Sequence, residues 1–209
     1  MRTEPVRSAS YVRVMPDATW NERLLEQLTW HWDNHVRPRL DGLSDTEYLW
    51  EPVPGCWNLH VRPGGDVTVD FQFPEPKPAP VTTIAWRLGH LIVGVFGARN
   101  ASHFGGRPIS YDTYGWRGTA DEALADLDEV YGTWVDGVRS LGEEGLARRC
   151  GPAEGPYAEH ALADLVVHIN REAIHHAAEI LTLRDLYRAA HAAPITVAGV
   201  GGRPHFRVA

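Results

Sequence analysis

The sequence predicts an all-α four-helix bundle with a small peripheral β segment and an irregular C-terminal tail. Three observations carry that expectation. Helix-opening capping signatures recur along the chain, apolar residues follow them at spacings of three and four, and the four stretches so marked show no internal repeat.

Thr19 and Glu22 form a capping box ahead of Leu24, Leu28, His31 and His35, spaced as one helical face. That helix is expected to kink or stop near Arg37-Pro38. Ser44 and Glu47 repeat the signature before Tyr48-Leu49-Trp50, and Glu51 to Trp57, with Pro52, Pro54 and Gly55, is irregular. Alternation of Val67, Val69, Phe71 and Phe73 with polar residues predicts a short strand. After the proline-rich connector Pro74 to Pro80, Thr82 or Thr83 caps a second helix through Trp86, His90, Val93, Gly97 and Ala101. Its glycines, Gly89, Gly94 and Gly97, cost helix stability, which points to close packing or ligand room beside His90.

A loop rich in Gly, Tyr and Trp, Phe104 to Gly118, leads to the box Thr119 and Glu122. The stripe Leu124, Leu127, Tyr131, Trp134, Val138 and Leu141 follows, and Gly142 ends it. The last helix is expected from about Ala158 to Ala190, with the stripe Leu162, Leu165, Ile169, Glu172, His176, Ile180, Leu183 and Tyr187. The tail from Pro194 to Ala209 has no sustained periodicity.

At 209 residues the chain suits one domain, 1–209, with a helical core from about 18 to 190. Its 27 acidic against 20 basic residues, a net charge of −7, argue against nucleic acid or an anionic membrane as partner. Cys56 and Cys150 stand far apart, in neither a disulfide framework nor a cysteine zinc motif. Without a signal-like apolar run, or the roughly 18 apolar residues of a membrane span, a soluble cytoplasmic protein is expected.

Chemistry concentrates where Glu172 and His176 occupy consecutive positions of an apolar stripe. Burying a carboxylate and an imidazole is costly unless something binds them, and residues four apart project from one helical face. A metal ion is one solution; a buried network with arginine or tyrosine, or an unbound acid/base pair, are the others. His168, Glu172 and His176 cannot all bind one ion, because eight residues of helix rise about 12 Å. A third ligand must come from elsewhere, and His90 in its Gly-rich helix is the best candidate. Two histidines and a carboxylate suit zinc, and equally nickel, iron or manganese. His175 and His168 read as walls of such a site, and His31 and His35 as pocket lining. Glu172-x-x-His175 has no second copy, which argues against a di-iron centre. Zincin, nucleophile-elbow, phosphate-loop and dinucleotide motifs are absent from the sequence. Trp50, Trp57 and Trp116 fall in loops and are candidates to line an apolar pocket.

The chain resembles the DinB/YfiT-like superfamily of metal-binding four-helix bundles. The resemblance rests on His90 in Trp86-Arg87-Leu88-Gly89-His90-Leu91 and on Glu172 with His176 in Arg171-Glu172-Ala173-Ile174-His175-His176. Tyr48 to Trp57 and Glu179 to Tyr187 are similar to a DinB-like subgroup, so most of 18–190 is covered. Many members carry histidine where Glu172 stands, and the His, Glu, His set is similar to the zinc site of mycothiol-dependent maleylpyruvate isomerases. The resemblance implies a divalent metal, zinc first, on His90, Glu172 and His176. It also implies mycothiol or another low-molecular-weight thiol as cosubstrate, a small-molecule substrate, and transferase or isomerase chemistry in which the metal lowers the thiol pKa. Arg87 or Arg171 would bind substrate carboxylates, or else serve as surface or helix-pairing arginines. A non-catalytic, stress-associated metal-binding bundle and a metal-dependent hydrolase are the competing classes, and a homodimer is in keeping with the family.

Overall fold

A computed structural model describes residues 17–192. The start of the chain, Met1 to Ser10, and the tail expected to be irregular, Pro194 to Ala209, lie outside the described residues.

Four helical rods form the bundle. The first consists of α1 (Trp20–His31), a π-helical turn (Trp32–Val36) and α2 (Arg37–Leu40). The Thr19 side chain accepts from the Glu22 N–H while Glu22 accepts from the Thr19 N–H, closing the expected capping box. Near Arg37-Pro38 the expected disruption takes the form of a wide turn just before the proline, and the helix stops two residues after it, at Leu40. The Arg37 N–H reaches back five residues to the Trp32 carbonyl, and Pro38 falls in the first turn of α2, where an N–H is dispensable. The buried face therefore runs Asn21, Leu25, Leu28, Trp32, Val36 and Leu40. Of the expected stripe, Leu24 and His31 are left half-buried and His35 exposed.

Ser44 caps the short α3 (Asp45–Tyr48), but Glu47 does not close a box. Its carboxylate turns inward, 2.8 Å from Arg184 Nε. A two-stranded antiparallel hairpin follows, β1 (Leu59–Val61) against β2 (Val67–Val69), with Leu59 opposite Val69. The expected strand from Val67 to Phe73 thus ends early. At Asp70 the backbone N–H still donates to the Asn58 carbonyl, but the carboxylate, in place of the Asp70 carbonyl, accepts from the Asn58 N–H.

The second rod is α4 (Ile84–His90), a π-helical turn (Leu91–Gly97) and α5 (Ala98–His103), opened by the Thr83 side chain accepting from the Trp86 N–H. Through α4 and the π turn it is buried nearly all round, as a central helix must be. The third is α6 (Ala120–Ala147), which changes direction at Gly142, where a φ of +59° suits only glycine without strain. The fourth, α7 (Leu162–His191), begins later than expected. Pro152–Tyr157 form a 3-10 turn, and a backbone bridge between Arg149 and Ala161 holds the chain extended just before Leu162.

The first and second rods both pack on α6 and α7, which also touch each other. Trp32 stacks on Tyr131 at 4.3 Å in the centre of the core, with Phe96 edge-on to both. Three buried asparagines add polar clips between rods: Asn21 donates to the Val138 carbonyl, Asn100 to Val130 and Asn170 to Leu24. Among the described residues no helix is long and apolar enough to cross a membrane.

Candidate metal centre

His90 is the last residue of α4, immediately before the second π turn, and it faces α7 where Glu172 and His176 lie one turn apart. The His90 and His176 rings meet edge to face with centroids 4.6 Å apart. Glu172 Oε2 lies 3.4 Å from His176 Nε2. Of the three residues expected as ligands, two are in ring contact and the third flanks one of them. The other Glu172 oxygen is 3.6 Å from His168 Nδ1, and Arg171 Nε is 3.7 Å away, so this carboxylate sits at the edge of the bundle, with its side chain 30% exposed.

Each imidazole is anchored through Nδ1. His176 Nδ1 lies 2.8 Å from Glu179 Oε2 and 3.4 Å from Arg87 Nη1. A carboxylate only accepts and is the closer partner, so Nδ1 carries the proton and the Nε2 lone pair is left free on the Glu172 side. His90 Nδ1 is 2.5 Å from the Tyr111 hydroxyl, which can accept in the same way, and the ring lies parallel to Trp86 at 5.6 Å. Burial, then the nearby His176, Arg87 and Arg99, pushes the His90 pKa down to about 3. Burial also lowers His176, with Arg87 and His175 in the same direction and Glu179 opposing. Both rings are therefore neutral at pH 7, the form in which histidine donates to a metal. The Tyr111 pKa is raised to about 12, chiefly by burial, so the phenol keeps its proton.

The glycines of the second rod make this arrangement possible. A Cβ on Gly94 would lie 2.7 Å from the Tyr111 hydroxyl and 3.1 Å from His90 Nδ1, and one on Gly89 would lie 2.4 Å from the Trp116 ring. They let the 104–118 loop press its aromatic side chains against the helix beside His90. Trp57 joins the same wall through Trp86 at 5.5 Å, and Phe71 stacks on Tyr111 at 4.8 Å. Trp50 does not join it and packs instead on Tyr187 and His191 near the end of α7.

Residues 27–180 match the family model of the DinB superfamily. The chain belongs to the DinB superfamily. No curated protein and no solved structure matches it.

Among the described residues of this DinB-superfamily chain, one set of donors lies close enough together for an ion, and it shares only His176 with the three expected from sequence. Ligand atoms of His175, His176 and Glu179 all lie within 4.8 Å of one another, so this His/Glu cluster could hold a divalent ion. Two features bear on how it would bind. Arg87 Nε lies 3.0 Å from Glu179 Oε2, close enough for an ion pair though without hydrogen-bond alignment, so a guanidinium already occupies the carboxylate's field. His175 stands outside with its side chain 63% exposed.

Sequence reasoning missed Glu179 and Tyr111 as partners of the two histidines. Glu179 was within reach of spacing, since it lies three residues after His176 on the same face. Tyr111 comes from an irregular loop and carries no such signal. Arg87, expected to serve a substrate carboxylate or a helix pair, is engaged with Glu179. His168 pairs with Arg171 at 2.8 Å beside Glu172. His31 and His35 face each other at 5.6 Å on the flank of α1, with Trp30 against His35.

Proposed function

We propose that the chain binds a divalent metal, zinc first, through His90, Glu172 and His176, and that it works as a thiol-dependent transferase or isomerase on a small-molecule substrate. The supporting observation is the ring contact of His90 with His176, each imidazole held by a polar partner at Nδ1 and neutral, with a carboxylate beside the free Nε2 of His176. Polar partners at the far ring nitrogen fix tautomer and orientation, as metal-binding histidines require. Two neutral donors and one carboxylate leave a divalent ion with net positive charge. When bound, such an ion supplies Lewis acidity that lowers the pKa of a low-molecular-weight thiol, such as mycothiol, reaching an open position.

The chain's own residues do the rest. Glu179 and Arg87 fix the His176 ring, Tyr111 and Trp86 fix His90, and the wall of Phe71, Tyr111 and Trp116 keeps bulk water from one side. Helix residues four apart place Glu172 and His176 without a loop, so the donor positions are rigid.

Elemental analysis of untagged protein tests the metal, with near-stoichiometric zinc or another divalent ion expected in the wild type and none in His176→Ala. Full occupancy in that variant would defeat the assignment. Glu172→Gln and His175→Ala separate the two donor groups, since the first should lose the ion and the second retain it. Thiol chemistry is read from cobalt-substituted protein: a sulfur-to-metal charge-transfer band on adding a thiol supports the transferase, and spectra unchanged by every thiol favour a non-catalytic metal-binding protein or a hydrolase.

A further inference from the structure

Beside the metal centre, a cavity of about 500 Å³ opens between α5, the 152–157 turn and the first half of α7. Arg99, Glu154, Asp164, Leu165, His168 and Arg171 are among the residues lining it. Two guanidinium groups thus face two carboxylates, and the partners of each decide what the cavity can take.

Glu154 is committed within the protein. Its side chain is 9% exposed, with Oε1 3.0 Å from His103 Nε2 and Oε2 3.5 Å from Arg99 Nη2. Asp164 lies at the rim, 66% exposed and 3.7 Å from His160, where solvent screens it. Arg99 is under-used by comparison. Nη1 donates to the Gly94 carbonyl at 2.7 Å, the contact of Nη2 with Glu154 is at the limit of a hydrogen bond, and Nε is buried with no partner. Guanidinium carries five donors, so one on Nη1 and one on Nη2 are left for a ligand. Arg171 sends Nη2 to His168 Nδ1, sets Nε 3.7 Å from Glu172 Oε1, and leaves a side chain 67% exposed at the mouth. Leu165 and the half-exposed Val167 supply an apolar wall.

We propose that this cavity binds a small molecule carrying an oxyanion, carboxylate or phosphate, with the charge on Arg99 and Arg171 and the carbon skeleton against Leu165 and Val167. Planar guanidinium forks match both oxyanions through paired N–H donors. That this ligand is the metal centre's substrate rests on the preceding proposal, since His168 and Arg171 also border Glu172; the binding itself does not.

The test uses full-length protein stripped of metal, with the chelator dialysed away, so that failure of the anion site and failure of the metal site are read separately. Succinate and inorganic phosphate are titrated while the Arg99 Nε–H and the amides of 164–171 are followed by ¹H–¹⁵N correlation spectra. Saturable shifts confined to these groups are expected, weakened at least tenfold in Arg171→Gln, whose exposed side chain has little part in folding, and in Arg99→Gln. Saturation by succinate alone identifies a carboxylate site, and saturation by both probes a general oxyanion site. Shifts that never saturate, or that stay within twofold of wild type in both variants, would overturn the proposal. Metal content of the untreated wild-type protein reports the neighbouring centre independently.

Discussion

His176 Nδ1 and Glu179 Oε2 stand 2.8 Å apart, while Glu172 lies 3.4 Å from Nε2 of the same ring, so one imidazole is bracketed by two carboxylates from its own helix. The two play different parts if Glu172 is a ligand and Glu179 a positioning residue. Removing the partner of a metal-bound histidine typically weakens metal affinity about ten- to hundredfold. Glu179→Ala should fall in that range, measured by competition with a chromophoric chelator. Glu179→Gln should lose less, because its amide oxygen still accepts from Nδ1–H. Loss of all binding in Glu179→Ala, with Glu172→Gln unaffected, would move the ion to the His175, His176 and Glu179 group.

Gly94 and Gly89 offer a contrast within one rod. At Gly94 the added methyl meets the far end of the Tyr111 side chain at 2.7 Å, which can move, and the edge of the His90 ring at 3.1 Å, so the helix survives but Tyr111 leaves His90. Gly94→Ala should therefore change thermal stability little while weakening metal retention. At Gly89 the methyl meets the Trp116 ring at 2.4 Å, and that ring is packed against Tyr111 and Tyr114. Overpacking of this kind typically costs about 1–3 kcal/mol, so Gly89→Ala should lower the urea midpoint by a corresponding amount. Equal stability loss in the two variants would remove the distinction.

The starts of the first three rods and of α3 were legible because capping is local: Thr19, Thr83, Thr119 and Ser44 each accept from an N–H three residues on, whereas α7 opens at Ala161 with no side-chain cap and its start was misplaced. The spacing of Glu172 and His176 was legible because it is local too. What escaped depends on distant partners or on backbone phase. The second π turn leaves no mark in composition, since Leu91 to Gly97 are apolar or glycine at every phase, yet it re-aims the face that follows. The first strand, three residues long, is too short for alternation to register. Glu47 looked like half of a capping box, and only the fold brings Arg184 to it.

The Glu47–Arg184 pair carries a second prediction about stability. The two side chains are 5% and 1% exposed, and Arg184 also donates to the carbonyls of Arg39 and Asp41, which ties the end of the first rod and α3 to α7. Breaking such a pair from one side leaves an uncompensated buried charge, at a typical cost of about 3–5 kcal/mol. Arg184→Met should lower stability by that order in urea denaturation. Glu47→Gln, which retains an acceptor for Nε, should lose less. Protein that remains folded should hold the same amount of metal as wild type, since the pair does not contact His90, Glu172 or His176; selective loss of metal with unchanged stability would contradict this purely structural role.

His31 supplies a pH prediction that does not involve the metal centre. Burial first, and the facing His35 second, lower its pKa, and its Nε2 is buried with no hydrogen-bond partner. The folded protein therefore resists protonating this ring, while the unfolded chain accepts a proton near the ordinary histidine value of about 6.5. Below that value the unfolded state binds the extra proton, so the contribution of neutral His31 is present above about pH 6.5 and is lost as pH falls from there toward the depressed folded value. Denaturation of the metal-free protein at pH 7.5 and 5.5 should show wild type losing more stability on acidification than His31→Gln, which cannot titrate. His35→Gln should lessen the loss as well, by removing the neighbouring charge. Identical pH dependence in wild type and His31→Gln would mean that the ring takes up its proton as easily in the folded protein as in the unfolded chain.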